Sequence, residues 1–310
     1  MYHTGEMSHK VMGSPKKVLV LGATGMLGHV LLSFLSEKTF YRVFATVRNP
    51  GRHFSLLSPL AGVKIYEGVD AGQFDTVHRV LSALCPDVVI NCIGIVKQHP
   101  LAEDPIASIT VNALFPHLLS KACSEIGSRL IHISSDCVFS GTKGNYTEQY
   151  SPDPADLYGR SKFLGEVSCS HCTTLRSSLI GHELESSHGL LEWFLSRKGP
   201  VNGYSKAIFS GFPTIEFSRI ISDYVIPNTN ISGVYHVSAQ PISKYELLKL
   251  IAERYGKAVA VIPDDSMACD RSLDSTRFQA ITGYAAPLWN QLIAQMHDDA
   301  ITRPYYHGGK

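Results

Sequence analysis

The first half of the chain alternates between short, continuous apolar runs and longer segments whose apolar residues recur every three or four positions. Residues 18–21 and 87–94 are typical of strands covered on both faces, and residues 26–35 follow the helical pattern. Further strands are predicted over 41–47, 63–67 and 130–139, and further helices up to residue 84 and over 105–125, with a kink at Pro116. Strands alternating with helices predict an α/β fold built on a doubly wound parallel sheet.

This regular alternation ends after residue 178, which predicts a smaller second domain. Its predicted helices include 216–225 and 243–255, and the segment 209–214 is interpreted as loop. We therefore divide the chain into a flexible segment at 1–15, a first domain at 16–178 and a second domain at 179–310. Part of 214–240 is expected to return to the first domain.

Composition narrows the functional classes. The 310 residues are 44% hydrophobic, enough for a buried core, and 28 basic against 27 acidic residues leave a formal charge of +1. That balance gives no electrostatic case for nucleic acid or an anionic membrane as a partner. Seven scattered cysteines argue against a disulfide framework and for a reducing compartment, and no apolar run approaches the roughly 20 residues of a membrane span. We therefore expect a cytoplasmic protein.

A glycine-rich turn joins the first predicted strand to the first helix. Gly22, Gly25 and Gly28 form the pattern G-x-x-G-x-x-G. Such glycines let the turn close and let the backbone approach a dinucleotide pyrophosphate, which the free N–H groups at the helix start then bind. The alternative is a tight turn without a ligand. The intervening residues assigned to the same cofactor-binding turn are Thr24, Met26 and Leu27.

Four residues near predicted strand ends are further candidates for dinucleotide contacts. Arg48 follows the second strand, where an acidic residue would bind the ribose 2′-hydroxyl of NAD and a basic one accommodates a 2′-phosphate. NADP(H) is therefore preferred, and NAD(H) is allowed. Asp70 either contacts adenine or caps the helix that follows it. Asn91 and Cys92 lie at the end of a strand that would face the cofactor, at the edge where open α/β sheets bind ligands.

Acid–base chemistry is predicted from three residues further along. Ser135 lies on the strand predicted over 130–139, and Tyr158 and Lys162 are four residues apart, so that on a helix they share one face. A nearby ammonium is expected to lower the pKa of the phenol towards neutrality, and the hydroxyl can bond the same substrate oxygen. A second Tyr-x-x-x-Lys, at Tyr245 and Lys249, follows no serine-bearing strand and is interpreted as structural.

The order of these motifs resembles the extended short-chain dehydrogenase/reductase superfamily over nearly the whole chain. The segments that resemble dTDP-4-dehydrorhamnose reductase and related 4-keto-sugar reductases are Ile133-Ser134-Ser135-Asp136-Cys137-Val138-Phe139-Ser140-Gly141, Leu175-Arg176-Ser177-Ser178, Gly233-Val234-Tyr235-His236-Val237-Ser238 and Leu273-Asp274-Ser275-Thr276-Arg277-Phe278. The resemblance implies a Rossmann domain followed by a smaller α/β domain that binds a nucleotide sugar. It also implies Ser135, Tyr158 and Lys162 as a catalytic triad, with Tyr158 and Lys162 contacting the cofactor as well.

One departure from related enzymes bears on the reaction. Sugar-nucleotide 4,6-dehydratases of this superfamily carry Asp-Glu after the triad hydroxyl, and the Glu removes a carbon-bound proton. Here Asp136 is followed by Cys137, so the resemblance favours simple carbonyl reduction. The candidate substrate contacts are Ser135, Asp136, Tyr158, Asn202, Phe212 and Arg271.

Each candidate residue outside the triad also has a structural explanation that requires no ligand. Asn202 and Phe212 lie in segments of mixed aromatic and polar character, which suit a sugar or base but are also common in surface connections. Arg271 is a candidate for the diphosphate or a surface arginine. The buried Asn112 expected on the 105–125 helix either ties that helix to the sheet or helps to place Lys162. The lone Cys-x-x-Cys at 169–172 has no second pair, so no metal is expected.

The resemblance thus implies NADPH-dependent reduction of the 4-keto group of a nucleotide-activated 4-keto-6-deoxyhexose, in deoxysugar and cell-surface polysaccharide biosynthesis. A nucleotide-sugar epimerase of the same fold is one alternative. The subfamily also resembles the regulatory subunit of methionine adenosyltransferase, so a non-catalytic, dinucleotide-binding subunit is another. Superfamily members are often dimers, which allows a homodimer. The nucleoside, the hexose and the product stereochemistry stay open.

Overall fold

The computed structural model describes residues 14–49, 57, 60, 62–184 and 188–303. Most of the segment predicted to be flexible, 1–15, therefore lies outside the described residues. The strands of the described part are β1 (Lys16–Leu21), β2 (Tyr41–Thr46), β3 (Lys64–Tyr66), β4 (Val88–Asn91), β5 (Arg129–Ile133), β6 (Cys172–Arg176), β7 (Leu179–Ile180), β8 (Val201–Phe209), β9 (Phe212–Pro213), β10 (Gly233–His236), β11 (Ile242–Ser243) and β12 (Val261–Asp270).

Seven of these strands form the central sheet, in the order β10-β6-β5-β4-β1-β2-β3 with every neighbouring pair parallel. The chain runs outward from β1 through β2 and β3 and then returns to the other side of β1 at β4. The strand order therefore reverses between β1 and β4, and open α/β sheets bind ligands at such a reversal. The predicted doubly wound α/β fold is confirmed.

The helices of the described residues are α1 (Met26–Ser36), α2 (Phe74–Leu84), α3 (Pro105–Ser108), α4 (Phe115–Glu125), α5 (Leu157–Leu164), α6 (Leu190–Ser196), α7 (Thr214–Ile220), α8 (Lys244–Arg254), α9 (Thr276–Thr282) and α10 (Trp289–Thr302). The central sheet is covered on both faces: on one face Leu31 of α1 and Phe217 of α7 belong to one buried cluster, and on the other Leu81 of α2 and Phe115 of α4 belong to a second. This double cover explains the apolar runs at 18–21 of β1 and 88–90 of β4.

The helix predicted over 105–125 is interrupted. A π-helical segment, Ile109–Leu114, separates α3 from α4, so the interruption precedes Pro116 instead of centring on it. The amide of Phe115 donates to the carbonyl of Thr110, five residues back, and Pro116 has no amide with which to continue an ordinary ladder. The predicted strand over 130–139 is also shorter: β5 ends at Ile133, and a 3₁₀ turn begins at Asp136.

The smaller unit is built on a three-stranded sheet in the order β11-β8-β12. Residues 201–209 form β8, which the sequence pattern does not predict and which pairs in parallel with β12. One side of β8 is exposed and carries polar residues, so the sequence contains no continuous apolar run that would predict this strand. The predicted loop at 209–214 contains the short strand β9. Helices α6, α8 and α10 supply the core of the smaller unit through Leu191, Leu247 and Ile293. Among the described residues, no helix combines the length and apolar character that a membrane crossing needs.

The chain passes more than once between the central sheet and the smaller unit. The strand β10 pairs with β6, so 233–236 lie in the central sheet. Phe212, predicted to contact substrate from a loop, instead lies on β9, which pairs with β7. Its side chain is fully buried in the main core, 6.0 Å from the ring of Tyr284. A ring with no accessible surface cannot contact a ligand, so this part of the substrate prediction is wrong.

Candidate active site

The glycine turn between β1 and α1 lies at the point where the strand order reverses. Gly22 has a φ of +80°, and a Cβ there would lie 2.9 Å from the side chain of Ile93. A Cβ on Gly28 would lie 2.1 Å from the carbonyl oxygen of Gly22. A Cβ on Gly25 would meet nothing closer than 3.4 Å. The fold therefore requires glycine at 22 and 28 but not at 25, where glycine leaves room for a ligand to approach the backbone.

The amino end of α1 is suited to an anion. The cap residue, Gly25, offers no side chain to its amides, and no acidic residue lies in its first turn. These amides and the positive end of the helix dipole therefore face outward without a carboxylate of the protein itself. Thr24 and Met26 are partly exposed beside the turn, whereas the Leu27 side chain is buried in the core, so that only its backbone can meet a ligand. This cradle fits a dinucleotide pyrophosphate.

The side chains of the other predicted cofactor contacts, Arg48, Asp70 and Asn91, differ in exposure and in the hydrogen bonds that they already make. Arg48 is exposed just beyond β2. Asp70 does not cap a helix, because α2 begins at Phe74, and its carboxylate accepts from the amide of Gly72 at 2.8 Å. Asn91 is buried, and its amide group binds the Ile93 amide at 3.0 Å and the ring of His132 at 3.1 Å. These contacts stabilise the strand end, so the Asn91 side chain is already occupied.

The predicted triad comes together at the end of β5. The Ser135 hydroxyl accepts from the amide of Cys137 at 3.1 Å and donates to Asp136 at 3.2 Å, and it lies near the Tyr158 phenol. The Lys162 ammonium donates to the carbonyl of Ile133 at 2.7 Å. The serine, the tyrosine and the lysine thus meet within one turn of α5 and the last residues of β5.

Two glycines allow α5 to lie this close, and sequence reasoning missed both. A Cβ on Gly159 would lie 2.2 Å from the carbonyl oxygen of Cys137, next to Ser135. A Cβ on Gly165 would lie 1.9 Å from the carbonyl oxygen of Asn112, in the π-helical segment. A glycine directly after Tyr158 and inside a predicted helix was the available signal, because helix interiors disfavour glycine unless something packs against it.

Burial dominates the electrostatics of the triad. It raises the pKa of Tyr158, and the nearby Cys137 and Asp136 raise it further, while the nearby Ser135 hydroxyl acts the other way. Burial also lowers the pKa of Lys162 to about 8. The prediction that Lys162 brings the pKa of Tyr158 towards neutrality is therefore wrong in this structure. The phenol is neutral at pH 7, which is the form that can donate a proton.

Asn112 connects the π-helical segment to the site. Its side chain accepts from the amide of Ile95 at 2.9 Å, and donates to the carbonyl of Ile95 at 2.9 Å and to the hydroxyl of Ser161 at 3.2 Å. It therefore ties the segment both to the chain after β4 and to α5 beside Lys162. Both roles predicted for a buried asparagine here, tying the helix to the sheet and placing the lysine, are compatible with these bonds.

Arg271 lies beside the triad, although 135 positions separate it from Asp136 in sequence. Its guanidinium donates to the carbonyl of Phe139 at 2.8 Å and lowers the pKa of Asp136, although burial raises that pKa more strongly. Cys92 also lies near the triad, because the Lys162 ammonium lowers the pKa of its thiol, although burial raises that pKa more strongly. The site therefore places a partly buried acid and a partly buried cation next to Ser135, a combination that can bind an anionic substrate group.

One predicted site residue, Asn202, gains no support from the described contacts. Asn202 is exposed on β8 and donates to Asp264 at 2.9 Å, and no described contact joins it to the triad, so its substrate role stays a prediction. Cys172 is buried on β6 with its thiol against the hydroxyl of Ser120. Within the described ranges, no group of three or more His, Cys, Asp or Glu side chains is placed to hold a metal ion.

The parallel sheet, the glycine turn at its reversal and the Ser-Tyr-Lys group at its carboxyl edge define an extended short-chain dehydrogenase/reductase. More specifically, residues 16–301 match the family described as "RmlD substrate binding domain", and the chain belongs to that family.

Two curated relatives and one solved structure illustrate the range of this family. The chain is 26% identical over 261 residues to methionine adenosyltransferase 2 subunit beta of Rattus norvegicus, covering 77% of this chain and 72% of that protein. It is 30% identical over 153 residues to dTDP-4-dehydrorhamnose reductase of Burkholderia thailandensis, covering 49% and 45%. The crystal structure of dTDP-4-dehydrorhamnose reductase from Bacillus anthracis in complex with NADP superposes with a TM-score of 0.72 at 21% identity, covering 92% of this chain and 99% of that one.

Proposed function

We propose that the chain is an NADPH-dependent reductase of the 4-keto group of a nucleotide-activated 4-keto-6-deoxyhexose, acting in the cytoplasm. The observation that carries this proposal is the meeting of Ser135 with Tyr158 and Lys162, which lie one helical turn apart on α5, beside the end of β5. A neutral phenol, a second hydroxyl and a cation at the ligand-binding edge are the groups that a carbonyl reduction needs. The relatives that are reductases support the same reaction.

The protein side chains would divide the reaction as follows. The bound dinucleotide supplies a hydride to the keto carbon. Ser135 donates a hydrogen bond to the keto oxygen and orients it, and Tyr158 transfers its proton to that oxygen as negative charge develops there. Lys162 stabilises the resulting phenolate and contacts the nicotinamide ribose. Solvent then returns a proton to Tyr158, which leaves a secondary alcohol as product.

The turn after the triad serine supports reduction over dehydration. Dehydration needs a base to remove a carbon-bound proton, and Cys137 occupies the position next to Asp136. Burial raises the pKa of the Cys137 thiol to about 12, so it is not a thiolate at neutral pH. A thiol of that pKa is a poor base. We propose that Asp136 accepts from a substrate hydroxyl and that Arg271 binds the diphosphate.

The cofactor preference is proposed on Arg48 and the glycine turn. Arg48 is exposed at the end of β2, where a 2′-phosphate would lie, and a guanidinium binds phosphate through paired hydrogen bonds. We expect Arg48→Ala to weaken NADPH binding at least tenfold while NADH binding stays within twofold. Equal loss for both dinucleotides would contradict the assignment.

The test of the reaction is NADPH oxidation followed at 340 nm with a panel of dTDP-, UDP-, GDP- and CDP-linked 4-keto-6-deoxyhexoses. Turnover of one of them should fall about 10²- to 10⁴-fold in Tyr158→Phe. The matched control is Tyr245→Phe, since Tyr245 begins the second Tyr-x-x-x-Lys pattern, on α8, and should leave turnover unchanged. Tightly bound NAD that copurifies with the protein, with interconversion of sugar epimers, would instead indicate the epimerase.

A second candidate is a non-catalytic regulatory subunit, which the rat methionine adenosyltransferase relative favours because it matches more of this chain than the curated reductase does. In that case wild-type protein would bind NADPH, reduce none of the panel and copurify with a stoichiometric partner enzyme. The size of the assembly, including a homodimer, can be read in the same experiment by light scattering.

A further inference from the structure

A buried ion pair lies directly beside the catalytic residues and has no part in the mechanism above. The Glu166 carboxylate accepts from Arg176 twice, at 2.7 and 2.6 Å. The two side chains are only 6% and 5% exposed. Buried charges are costly unless they are paired and hydrogen-bonded, so such a pair is well suited to fixing a geometry.

Further hydrogen bonds extend the pair across three strands. Ser134, next to the triad serine, donates to Glu166 at 2.7 Å. Arg176 of β6 also donates to the ring of His236 on β10 at 3.1 Å, and that ring bonds the carbonyl of Tyr146 at 2.8 Å. The network therefore connects the carboxyl ends of β5, β6 and β10 to Glu166, the second residue after the end of α5.

Glu166 is also linked to Lys162 through geometry. The two residues are four positions apart, at the end of α5 and just beyond it. Lys162 donates to Ile133, Glu166 accepts from Ser134, and the triad serine is the next residue. Lys162 therefore binds the last residue of β5, Ile133. Glu166, just beyond α5, binds the next residue, Ser134.

We propose that Glu166 is the positioning residue that fixes Lys162 relative to Ser135 and keeps Lys162 charged in its buried site, with Arg176 holding the Glu166 carboxylate in place. The inference rests on the proposed reductase function and adds to it a residue that touches neither substrate nor cofactor.

The groups that face Lys162 support this assignment. Burial lowers the pKa of Lys162, and Glu166 and Cys92 oppose that lowering. Burial raises the pKa of Cys92 to about 12, so this thiol is neutral at pH 7. His132 on β5 also faces the ammonium, and burial keeps its pKa well below the usual value, so it is neutral as well. Asn112 of the π-helical segment carries no charge. Of these groups only Glu166 is charged, so it supplies the negative charge that stabilises the ammonium, which also donates to the Ile133 carbonyl.

The chain contains a matched control pair. Glu216 on α7 is 1% exposed, accepts from Arg219 at 2.6 and 2.9 Å and accepts from the Tyr284 hydroxyl at 2.6 Å. It resembles Glu166 in burial and bonding, but its hydrogen-bond partners lie outside the triad. Loss of its charge should therefore disturb folding to a similar degree without acting on Lys162.

The experiment compares Glu166→Gln with Glu216→Gln in the full chain. Trace acetylation with acetic anhydride, quantified at Lys162 by mass spectrometry as a function of pH, titrates the amine directly and does not depend on turnover. We expect the Lys162 midpoint to fall from about 8 by about one pH unit in Glu166→Gln and to stay unchanged in Glu216→Gln. The alkaline limb of kcat/KM should move by the same amount, because activity needs the ammonium.

Glu166→Gln leaves Arg176 buried and unpaired, so a second variant guards against loss of folding. In Glu166→Gln/Arg176→Met neither charge remains, and the Lys162 midpoint should still fall, but by less than in Glu166→Gln, because the Arg176 cation is lost together with the carboxylate. An unchanged midpoint in either folded variant overturns the proposal. Wild-type protein that reduces no sugar would overturn the reductase function alone, because the acetylation titration still reports on Glu166.

Discussion

Alanine substitutions at two glycines of the β1–α1 turn should separate folding from cofactor binding. Gly28→Ala places a Cβ 2.1 Å from the backbone carbonyl of Gly22, more than about 1 Å inside van der Waals contact. The position of the new Cβ is fixed by the backbone, and the atom it meets is a main-chain oxygen. No rotamer change therefore relieves the clash, and α1 must move away from β1. Gly25→Ala meets nothing within 3.4 Å and has an ordinary φ of −71°, so the fold accepts it.

The magnitudes follow from these distances. Overpacking of a buried contact costs about 1–3 kcal/mol, and the rigid backbone clash at Gly28 places it near 3 kcal/mol, a fall in Tm of at least about 5 °C. Alanine is a poorer helix cap than glycine, so Gly25→Ala should cost only about 0.5–1 kcal/mol. The new methyl group at 25 would occupy the space next to the exposed amides of α1. We expect it to weaken NADPH binding at least tenfold, or about 1.4 kcal/mol.

Thermal unfolding by circular dichroism and titration of NADPH fluorescence measure the two effects separately. Gly199→Ala is the control, since a Cβ there meets no atom within 4 Å, and it should change neither quantity. A Gly25→Ala protein that is folded and binds NADPH like wild type would refute the assignment of this turn to the pyrophosphate. A Gly28→Ala protein with the wild-type Tm would refute the packing argument.

Three further predictions concern stability. Asn112→Ala should cost about 2–4 kcal/mol in urea unfolding, because it leaves the buried amide and carbonyl of Ile95 without their partner; a loss below 1 kcal/mol would mean that water replaces it. Phe212→Ala should cost about 3–5 kcal/mol and leave the substrate KM unchanged, whereas a large change in KM at unchanged stability would restore the predicted substrate contact. Burial lowers the pKa of His236 to about 3, so the folded state resists its protonation and the free energy of unfolding should fall below pH 6.5, by about 2 kcal/mol at pH 5; His236→Gln should remove that part of the pH dependence.

Short-range patterns in the sequence predicted much of the fold and the triad. The strand, glycine turn and helix over 16–36 form as expected, because each depends on residues within one or two turns of one another. The same holds for Tyr158 and Lys162, whose spacing places them on one face of α5, and for the helix predicted over 243–255, which forms as α8. In each case the structure follows from local backbone geometry.

Tertiary contacts decided the rest. The strand β8 exists because β12 pairs with it some 60 residues later, and Phe212 is buried because the core of the central sheet closes over it. The pKa of Tyr158 is set by burial beside β5, an effect that no neighbour in sequence reveals. Glu166 and Arg176 are ordinary charged residues in the sequence and become a buried pair only when β6 lies beside β5. The sequence by itself determined the local elements and the order of the motifs, whereas burial, electrostatics and long-range pairing exist only once the chain has folded, because each depends on atoms that sequence distance does not bring together.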